Sequence, residues 1–213
     1  MRKVPTFDVG FQERLEDLFR WRRDVRRFRT DPIDEALIER LVQVAALAPS
    51  VGYSRPWRFV RVDDPGRRAV VRNAFERCNA EALGGYTGER AQLYATLKLA
   101  GLNDAPVQIA VFNYDETTRG HGLGRRTMPE MLRYSTVTAV YTFWLAARAH
   151  GIGTGWVSIL DPEIVRQALD VPATWSLVAY LCVGLPVEEH IDPELERAGW
   201  EARDEAASVL LRR

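Results

Sequence analysis

The sequence predicts an α+β domain in which several helices flank a central sheet. Helical apolar spacing recurs in long segments, strand-like segments are dispersed among them, and no linker or internal repeat divides the chain. The 213 residues, of which 46% are hydrophobic, are sufficient for one domain with a sizeable core. We therefore expect a single domain over residues 1–213, with a polar C-terminal arm from about residue 188.

The N-terminal half is predicted to alternate helices with two strands. Helix start and stop signals bound the second helix, which opens at Asp31-Pro32 and ends at Pro49. The stretches PWRFVRVDD and VQIAVFNYD have the apolar pattern of buried strands. In chain order, the predicted helices span residues 12–23, 31–49, 66–83 and 87–101, and the predicted strands span residues 56–64 and 107–115.

The C-terminal half is predicted to contain a long buried helix and two more strands. The helix at about residues 130–150 is apolar on nearly all sides, which is typical of a helix in a protein interior or at a subunit interface. A loop rich in Gly, Thr and Arg precedes it. A strand at 151–160, a short helix at 161–169 and a strand at 175–186 follow, and the polar tail begins at residue 188.

Composition excludes several classes of partner. Lys+Arg and Asp+Glu are equal at 29 each, so no net field attracts nucleic acid or an anionic membrane. No apolar run reaches the roughly 20 residues that span a bilayer, and the N-terminus lacks the apolar core of a secretory signal. Cys78 and Cys182 form no CxxC motif, which is typical of reduced thiols, and the three histidines lack metal-ligand spacing. We expect a cytoplasmic protein without a metal site.

Familiar catalytic and nucleotide-binding motifs are absent. GIGTGW has Trp156 where the dinucleotide fingerprint requires its third glycine, and this stretch opens a strand rather than a helix. Ser158 in GWVSI lacks the second glycine of a nucleophile elbow, and there is no P-loop.

The stretch RRDVRRFR, residues 22–29, places five arginines around Asp24. Arginine remains charged at any working pH and matches phosphate with a planar fork of donors. Arg22, Arg23 and Arg26 cannot share one helical face, but a helix end or turn can bring two or three of them onto one anion. The balanced total charge favours a single phosphate monoester, and a solvated helix end is the alternative.

Two further stretches predict close approach of a ligand to the backbone. APSVGYSRPW, residues 48–57, combines small residues, a glycine and prolines in a loop where amides can approach a flat ligand, although a plain connection fits it equally well. The glycines of GIGTGWVSI lie within a predicted strand, where glycine marks close approach, and Trp156 and Ser158 flank the position. Together with the arginines, these stretches predict a phosphorylated aromatic cofactor.

Four stretches carry a resemblance to a known family: RRDVRRF, APSVGYSRPWRFV, PEMLRYSTVTAVYTFWLAARAHGIGTGWVSI and YLCVGLP. They resemble the flavin nitroreductase superfamily and, more narrowly, its 5,6-dimethylbenzimidazole synthase branch, over about residues 12–203. Asp24 points to that branch, because ordinary nitroreductases usually carry serine there. Thr127 and Met128 depart from the polar His-Asn pair of the branch. The resemblance implies a nitroreductase-like mixed or antiparallel sheet flanked by helices, in a homodimer that exchanges C-terminal arms.

The resemblance also implies the residues of an FMN site. The arginines at 22, 23 and 26 would hold the phosphate and the ribityl chain, joined by Arg203. Ser50 and Gly52 would line the isoalloxazine, and Ser158 would lie near its reactive edge. The full implied set is Arg22, Arg23, Asp24, Val25, Arg26, Ser50, Gly52, Ser158 and Arg203.

The implied reaction is the oxygen-dependent fragmentation of reduced FMN to 5,6-dimethylbenzimidazole, the lower ligand of vitamin B12. NAD(P)H would act indirectly, through a flavin reductase that supplies reduced FMN. Because neighbouring cations favour the ionised form of a carboxylate, we expect Asp24 to be a charged base that takes a proton from the ribityl C1′. Ser158 would donate a hydrogen bond to the flavin or its oxygen adduct. For Asp24 an ion pair that orients arginine, and for Ser158 a bond to neighbouring backbone, are the alternatives.

Two other functions remain open from the sequence. One is an NAD(P)H-dependent nitroreductase that retains FMN as a cofactor. The other is a flavin-binding protein without turnover.

Overall fold

The computed structural model describes residues 4–97, 100–204 and 210–212. In chain order its helices are α1 (Val9–Trp21), α2 (Glu35–Ala45), α3 (Pro65–Leu83), α4 (Gly88–Thr96), α5 (Gly101–Asp104), α6 (Met131–Ala149), α7 (Pro162–Ala168) and α8 (Glu194–Arg197). The strands are β1 (Trp57–Arg61), β2 (Val107–Tyr114), β3 (Gly153–Val157) and β4 (Trp175–Gly184). Short 3-10 turns occupy Val51–Tyr53 and Arg119–Gly122.

Within the described residues, the four strands form one antiparallel sheet in the order β1-β2-β4-β3. Side chains alternate between the two faces of a strand, and β2 is buried on both faces. Val107, Ile109 and Val111 pack with α2 and α6, whereas Ala110 and Phe112 pack on the side of α3 and α7. The sheet is therefore the middle layer between two layers of helices. The predicted fold class is confirmed.

Local signals explain where four of the eight described helices begin. Asp8, Asp34, Asp64 and Asp161 each accept a backbone N–H in the first turn of the helix that follows, which satisfies a donor that has no partner inside the helix. Among the described helices, none combines the length and hydrophobicity needed to cross a lipid bilayer.

The arginine-rich segment differs from the prediction that places residues 22 and 23 at a helix end. Helix α1 stops at Trp21, and Arg22 is already extended. The chain then runs beside β3, where Asp24 bridges Thr154 in parallel and the Val25 N–H donates to the Thr154 carbonyl at 3.1 Å. These backbone bonds to the sheet edge explain why a segment with helical composition becomes extended.

Glycines in β3 make this approach possible. A Cβ on Gly155 would lie 2.1 Å from the Val25 carbonyl oxygen, and one on Gly153 would lie 2.9 Å from a Val25 methyl. We predicted that these glycines admit a ligand. The predicted close approach is confirmed, but the group that lies against these glycines is the chain's own residue 25.

Candidate functional site

The arginine segment places its side chains on two sides because side chains alternate along an extended chain. The Nε atoms of Arg22 and Arg26 are buried and have no hydrogen-bond partner. Only two other buried side-chain polar atoms in the described chain share this condition, Ser54 Oγ and Thr154 Oγ1. Since buried polar groups are normally paired, the two guanidinium groups fit a site for an anionic ligand.

Arg23 and Arg27 instead bind the C-terminal segment. The Arg23 Nε donates to the Ile191 carbonyl at 2.8 Å and its Nη1 donates to the Arg22 carbonyl at 2.8 Å. Arg27 pairs with Glu188 and, at 3.3 Å, with Glu194. Arg23 was predicted to hold phosphate, but its guanidinium is already engaged by protein carbonyls and brings its charge to the site from that position.

Arg203 lies close enough to Arg23 for the two charges to interact. Burial lowers the pKa of Arg23 from its ordinary value, and repulsion from Arg22 and Arg203 lowers it further. Arg203 is therefore brought near Arg22 and Arg23, where the carboxylates of Asp192 and Glu196 also act on the Arg23 charge.

The Asp24 carboxylate lies next to Arg22 and Arg26. Its Oδ1 accepts the backbone N–H of Trp156 at 2.8 Å, and its Oδ2 lies 3.8 Å from Arg26 Nε. The carboxylate is surrounded by protein atoms, although 38% of the side-chain surface is exposed. One oxygen is thus fixed by β3, and the other faces the Arg26 side and solvent.

Burial raises the pKa of Asp24 above its ordinary value. The Trp156 N–H, Arg26 and Arg22 act in the opposite direction, but their effect is smaller. The cations do not set the net direction of this shift, because removal of water from the carboxylate outweighs them. That Asp24 acts as a charged base stays a prediction. The result is a carboxylate that, once ionised, is a stronger base than an ordinary aspartate.

Two neighbouring cavities share Asp24 and Arg26. One, of about 210 Å³, is also lined by Arg22 and Arg23, together with Pro193, Glu194 and Leu195, so that its three arginines outnumber its two carboxylates. The other, of about 260 Å³, is lined mainly with aromatic and apolar side chains. The lining residues of the second cavity beyond Asp24 and Arg26 are Phe75, Asn79, Tyr94, Leu97, Trp156, Val157, Ser158, Ile159, Leu195 and Trp200.

Ser158 follows the last residue of β3 and lines the aromatic cavity. Its hydroxyl has no hydrogen-bond partner among the described residues. The alternative of a hydroxyl bonded to neighbouring backbone is therefore not what the structure shows, and the group is free to bind a ligand.

Ser50 and Gly52 do not line either cavity. The Ser50 hydroxyl accepts the Arg55 N–H at 3.1 Å, and the next N–H, that of Val51, donates to Ser135 on α6. Arg22 stacks over Trp144 on the same helix, nine residues further along, or about 14 Å of helix. Within one copy of the chain, this loop therefore lies apart from the arginine segment.

Gly52 is required by backbone geometry and by contact with a neighbouring loop. Its φ is +55°, and a Cβ there would lie 3.0 Å from the Gly120 carbonyl oxygen. Val25, also implied as a cofactor contact, packs against Gly153 and lines neither of the two cavities. Thr127 and Met128 are exposed and lie outside both cavities.

Several lining residues were missed by the sequence reasoning. Phe75 and Asn79 lie one turn apart on α3, Tyr94 comes from α4, and Leu195 and Trp200 come from the C-terminal segment. No local motif marks them, because they belong to three segments that meet only in the folded chain.

The central antiparallel sheet with helices on both faces defines an α+β protein, and the arginine-lined cavity beside an aromatic cavity is its candidate site. The match to a family profile is consistent with this class. The chain belongs to the nitroreductase family, whose profile matches residues 19–185.

Curated relatives narrow the comparison. The chain is 60% identical over 203 residues to the 5,6-dimethylbenzimidazole synthase of Rhodospirillum rubrum, covering 95% of this chain and 96% of the relative. It is 51% identical to a 5,6-dimethylbenzimidazole synthase of Rhodobacter capsulatus, with 92% and 94% of the two chains covered. Asp24 and the strand around Ser158 thus lie in a chain similar to such synthases throughout.

Solved structures support the fold. Oxidised iodotyrosine deiodinase bound to FMN and 3-iodo-L-tyrosine superposes with a TM-score of 0.73 at 24% identity, covering 93% of this chain and 97% of the other. A nitroreductase family protein from Clostridium novyi has a TM-score of 0.62 at 18% identity, with 81% and 85% covered.

Proposed function

We propose that this chain is an oxygen-dependent enzyme that binds reduced FMN as its substrate and fragments it to 5,6-dimethylbenzimidazole. The observation that carries the proposal is the position of Asp24 and Arg26 at the junction of a cationic and an aromatic cavity. A phosphorylated flavin placed across this junction has its phosphate near the arginines and its ring beside Ser158. The ribityl chain then passes Asp24.

The residues present fit this ligand. The Nε atoms of Arg22 and Arg26 lack a hydrogen-bond partner and would donate to the phosphate and ribityl oxygens, and Arg203 adds charge nearby. The flavin supplies two electrons to dioxygen and the carbon skeleton of the product. Asp24 Oδ2 accepts a proton from the ribityl C1′, while Trp156 holds Oδ1 in place. Ser158 donates a hydrogen bond to the ring edge.

Close relatives support a synthase over the rest of the superfamily. The high identity to synthases of Rhodospirillum rubrum and Rhodobacter capsulatus extends over nearly the whole chain. FMN is bound by the structural neighbour iodotyrosine deiodinase, which shares this fold. We further propose a cytoplasmic location and an NAD(P)H-dependent flavin reductase as the source of reduced FMN. We also propose a single domain whose C-terminal arm begins at about residue 188.

The fate of the isoalloxazine tests the proposed reaction. The protein is mixed with FMN, NADH and an independent flavin reductase in air, and the yellow absorbance is followed before mass spectrometry. We expect irreversible loss of flavin absorbance with formation of 5,6-dimethylbenzimidazole. Full recovery of oxidised FMN with NAD(P)H-driven reduction of a nitroaromatic would support a nitroreductase. Bound reduced flavin that forms no product in air would support a binding protein.

A homodimer completes the proposed site. Tyr134, Val137 and Tyr141 form an exposed stripe on α6, at 51%, 38% and 42% exposure. Most apolar side chains of α1 are also exposed, namely Val9, Phe11, Leu15, Phe19 and Trp21, whereas Leu18 is half-buried. Large exposed apolar surfaces mark association sites. We propose that a second copy covers this stripe and brings its Ser50–Gly52 loop to the flavin.

Sedimentation equilibrium at low micromolar concentration tests the dimer. We expect twice the 24.2 kDa chain mass for the wild type. Val137→Glu places a charge in the proposed interface and should give monomers with weaker flavin binding. Val70→Glu is the matched control, because Val70 is equally exposed, at 44%, but lies on α3 across the sheet from α6. A wild-type monomer that binds FMN fully would contradict the dimer.

A further inference from the structure

The lining of the aromatic cavity contains a polar pair from α3 and α4 that the proposed reaction has not used. The Tyr94 hydroxyl of α4 donates to Asn79 Oδ1 of α3 at 2.9 Å, and both residues line the cavity with Asp24 and Ser158. Because the amide oxygen faces the tyrosine, the amide NH₂ group points away from it. This group has no partner among the described residues.

Aromatic contacts hold this pair in position. Tyr94 stacks on Tyr86 with ring centroids 4.9 Å apart, and Trp200 contacts both rings at 6.0 and 5.5 Å. Arg90 lies over the Trp200 ring at 5.0 Å and donates to the Trp200 carbonyl. Offset and edge-on aromatic pairs of this kind stabilise a fixed arrangement. The C-terminal segment that carries Arg203 is thereby attached to α4.

We propose that Asn79 is a further substrate-binding residue, whose amide NH₂ donates to a carbonyl oxygen of the flavin ring, and that Tyr94 positions it. The inference rests on the proposed function and adds a polar contact in the cavity that Asp24 and Ser158 also line. The isoalloxazine carries carbonyl oxygens on one edge only, so this donor sets the orientation of the ring in an otherwise apolar wall. A correctly oriented ring places the ribityl C1′ at Asp24 Oδ2.

Orientation has a measurable consequence. Reduced FMN that reacts with dioxygen without fragmenting returns as oxidised FMN, and the two electrons and two protons leave as H₂O₂. A misplaced ring therefore increases H₂O₂ and oxidised FMN at the expense of benzimidazole. The ratio of benzimidazole formed to flavin oxidised therefore reports the orientation of the ring. If the Asn79–Tyr94 pair only connected α3 to α4, its loss would leave this ratio unchanged.

Asn79→Asp separates the two roles. The carboxylate oxygen still accepts from Tyr94, so the tie between the helices remains, but the NH₂ donors are lost. We expect the affinity for reduced FMN, titrated anaerobically, to fall about three- to tenfold, the scale of one hydrogen bond. We also expect a lower benzimidazole ratio. Tyr94→Phe should lower the ratio with a smaller change in affinity.

Tyr86→Phe is the control, because Tyr86 belongs to the same aromatic stack but does not line the cavity. It should retain wild-type affinity and ratio. Wild-type values for Asn79→Asp, or equal losses in Tyr86→Phe, would overturn the inference. The anaerobic affinity is independent of turnover. If the wild-type protein never formed benzimidazole, the proposed function would be wrong. The Asn79→Asp titration would still show whether Asn79 contacts the flavin.

Discussion

Asp24→Asn is expected to abolish benzimidazole formation while flavin binding persists. The asparagine keeps the shape of the side chain, and its oxygen can still accept the Trp156 N–H that now bonds to Oδ1. What disappears is the proton acceptor. Loss of a general base typically lowers a rate by about 10²–10⁴-fold. Product formation by mass spectrometry and anaerobic titration with reduced FMN measure the two properties separately.

Asp24→Asn is expected to lower activity but not to lower the stability of the folded protein. Burial raises the pKa of Asp24 in the folded protein, so the unfolded chain loses this proton at lower pH. The stability contribution of the protonated group is complete below the unfolded pKa and is lost as pH rises through the folded pKa. Ligand-free Asp24→Asn should therefore unfold at the same or a higher temperature than wild type near neutral pH.

Both measurements also test the alternative role of Asp24. If the carboxylate only orients Arg26, the variant should form benzimidazole at the wild-type rate once flavin is bound. If it were mainly a stabilising ion pair, the variant would unfold at a lower temperature. Arg26→Gln is a suitable comparison, because it leaves the Asp24 carboxylate in place. It should weaken flavin binding more than it lowers the reaction rate of the flavin that is bound.

Gly155→Ala is expected to remove the site by displacing the segment that builds it. The new Cβ would lie 2.1 Å from the Val25 carbonyl oxygen, and this contact is with backbone rather than with a side chain that can rotate. Relief requires residue 25 to move away from β3, which breaks the Val25–Thr154 hydrogen bond. We expect destabilisation at the upper end of the roughly 1–3 kcal/mol typical of overpacking, with loss of flavin binding.

Gly153→Ala provides a graded control for that prediction. Its Cβ would meet a Val25 methyl at 2.9 Å, so the effect on the melting temperature and on FMN affinity should be smaller. The measurements are thermal unfolding followed by circular dichroism and fluorescence titration with FMN. Equal, mild effects at both positions would show that the arginine segment tolerates displacement from β3.

Local sequence patterns were sufficient for much of the fold. Two patterns predicted buried elements: the continuous apolar run of β2 and the nearly all-round apolar character of α6. Each pattern can be recognised within a single segment, because a strand or helix that is covered on all sides is apolar on all sides. The boundaries were less accurate. The predicted helix at 87–101 is two helices, α4 and α5, and residues 98 and 99 lie outside the described residues.

The site was only partly visible in the sequence. The arginine density at 22–26 indicated an anion, since that conclusion depends on charge and donor geometry within one short segment. The Ser50–Gly52 loop was grouped with it by resemblance, but in one copy of the chain it lies elsewhere along α6. The sequence also did not show that Arg23 binds protein while the Arg22 Nε has no hydrogen-bond partner, because this difference depends on the distant Ile191 carbonyl.

By itself, the sequence determined the α+β class and the buried strands and indicated an anion-binding segment, because each pattern is a property of neighbouring residues. Only the tertiary structure decided what fills the glycine positions of β3, in which direction the pKa of Asp24 moves and which residues face Ser158. These depend on segments brought together by the sheet and its covering helices. Burial and close approach are properties of the packed chain, and residue order alone does not specify the distances that set them.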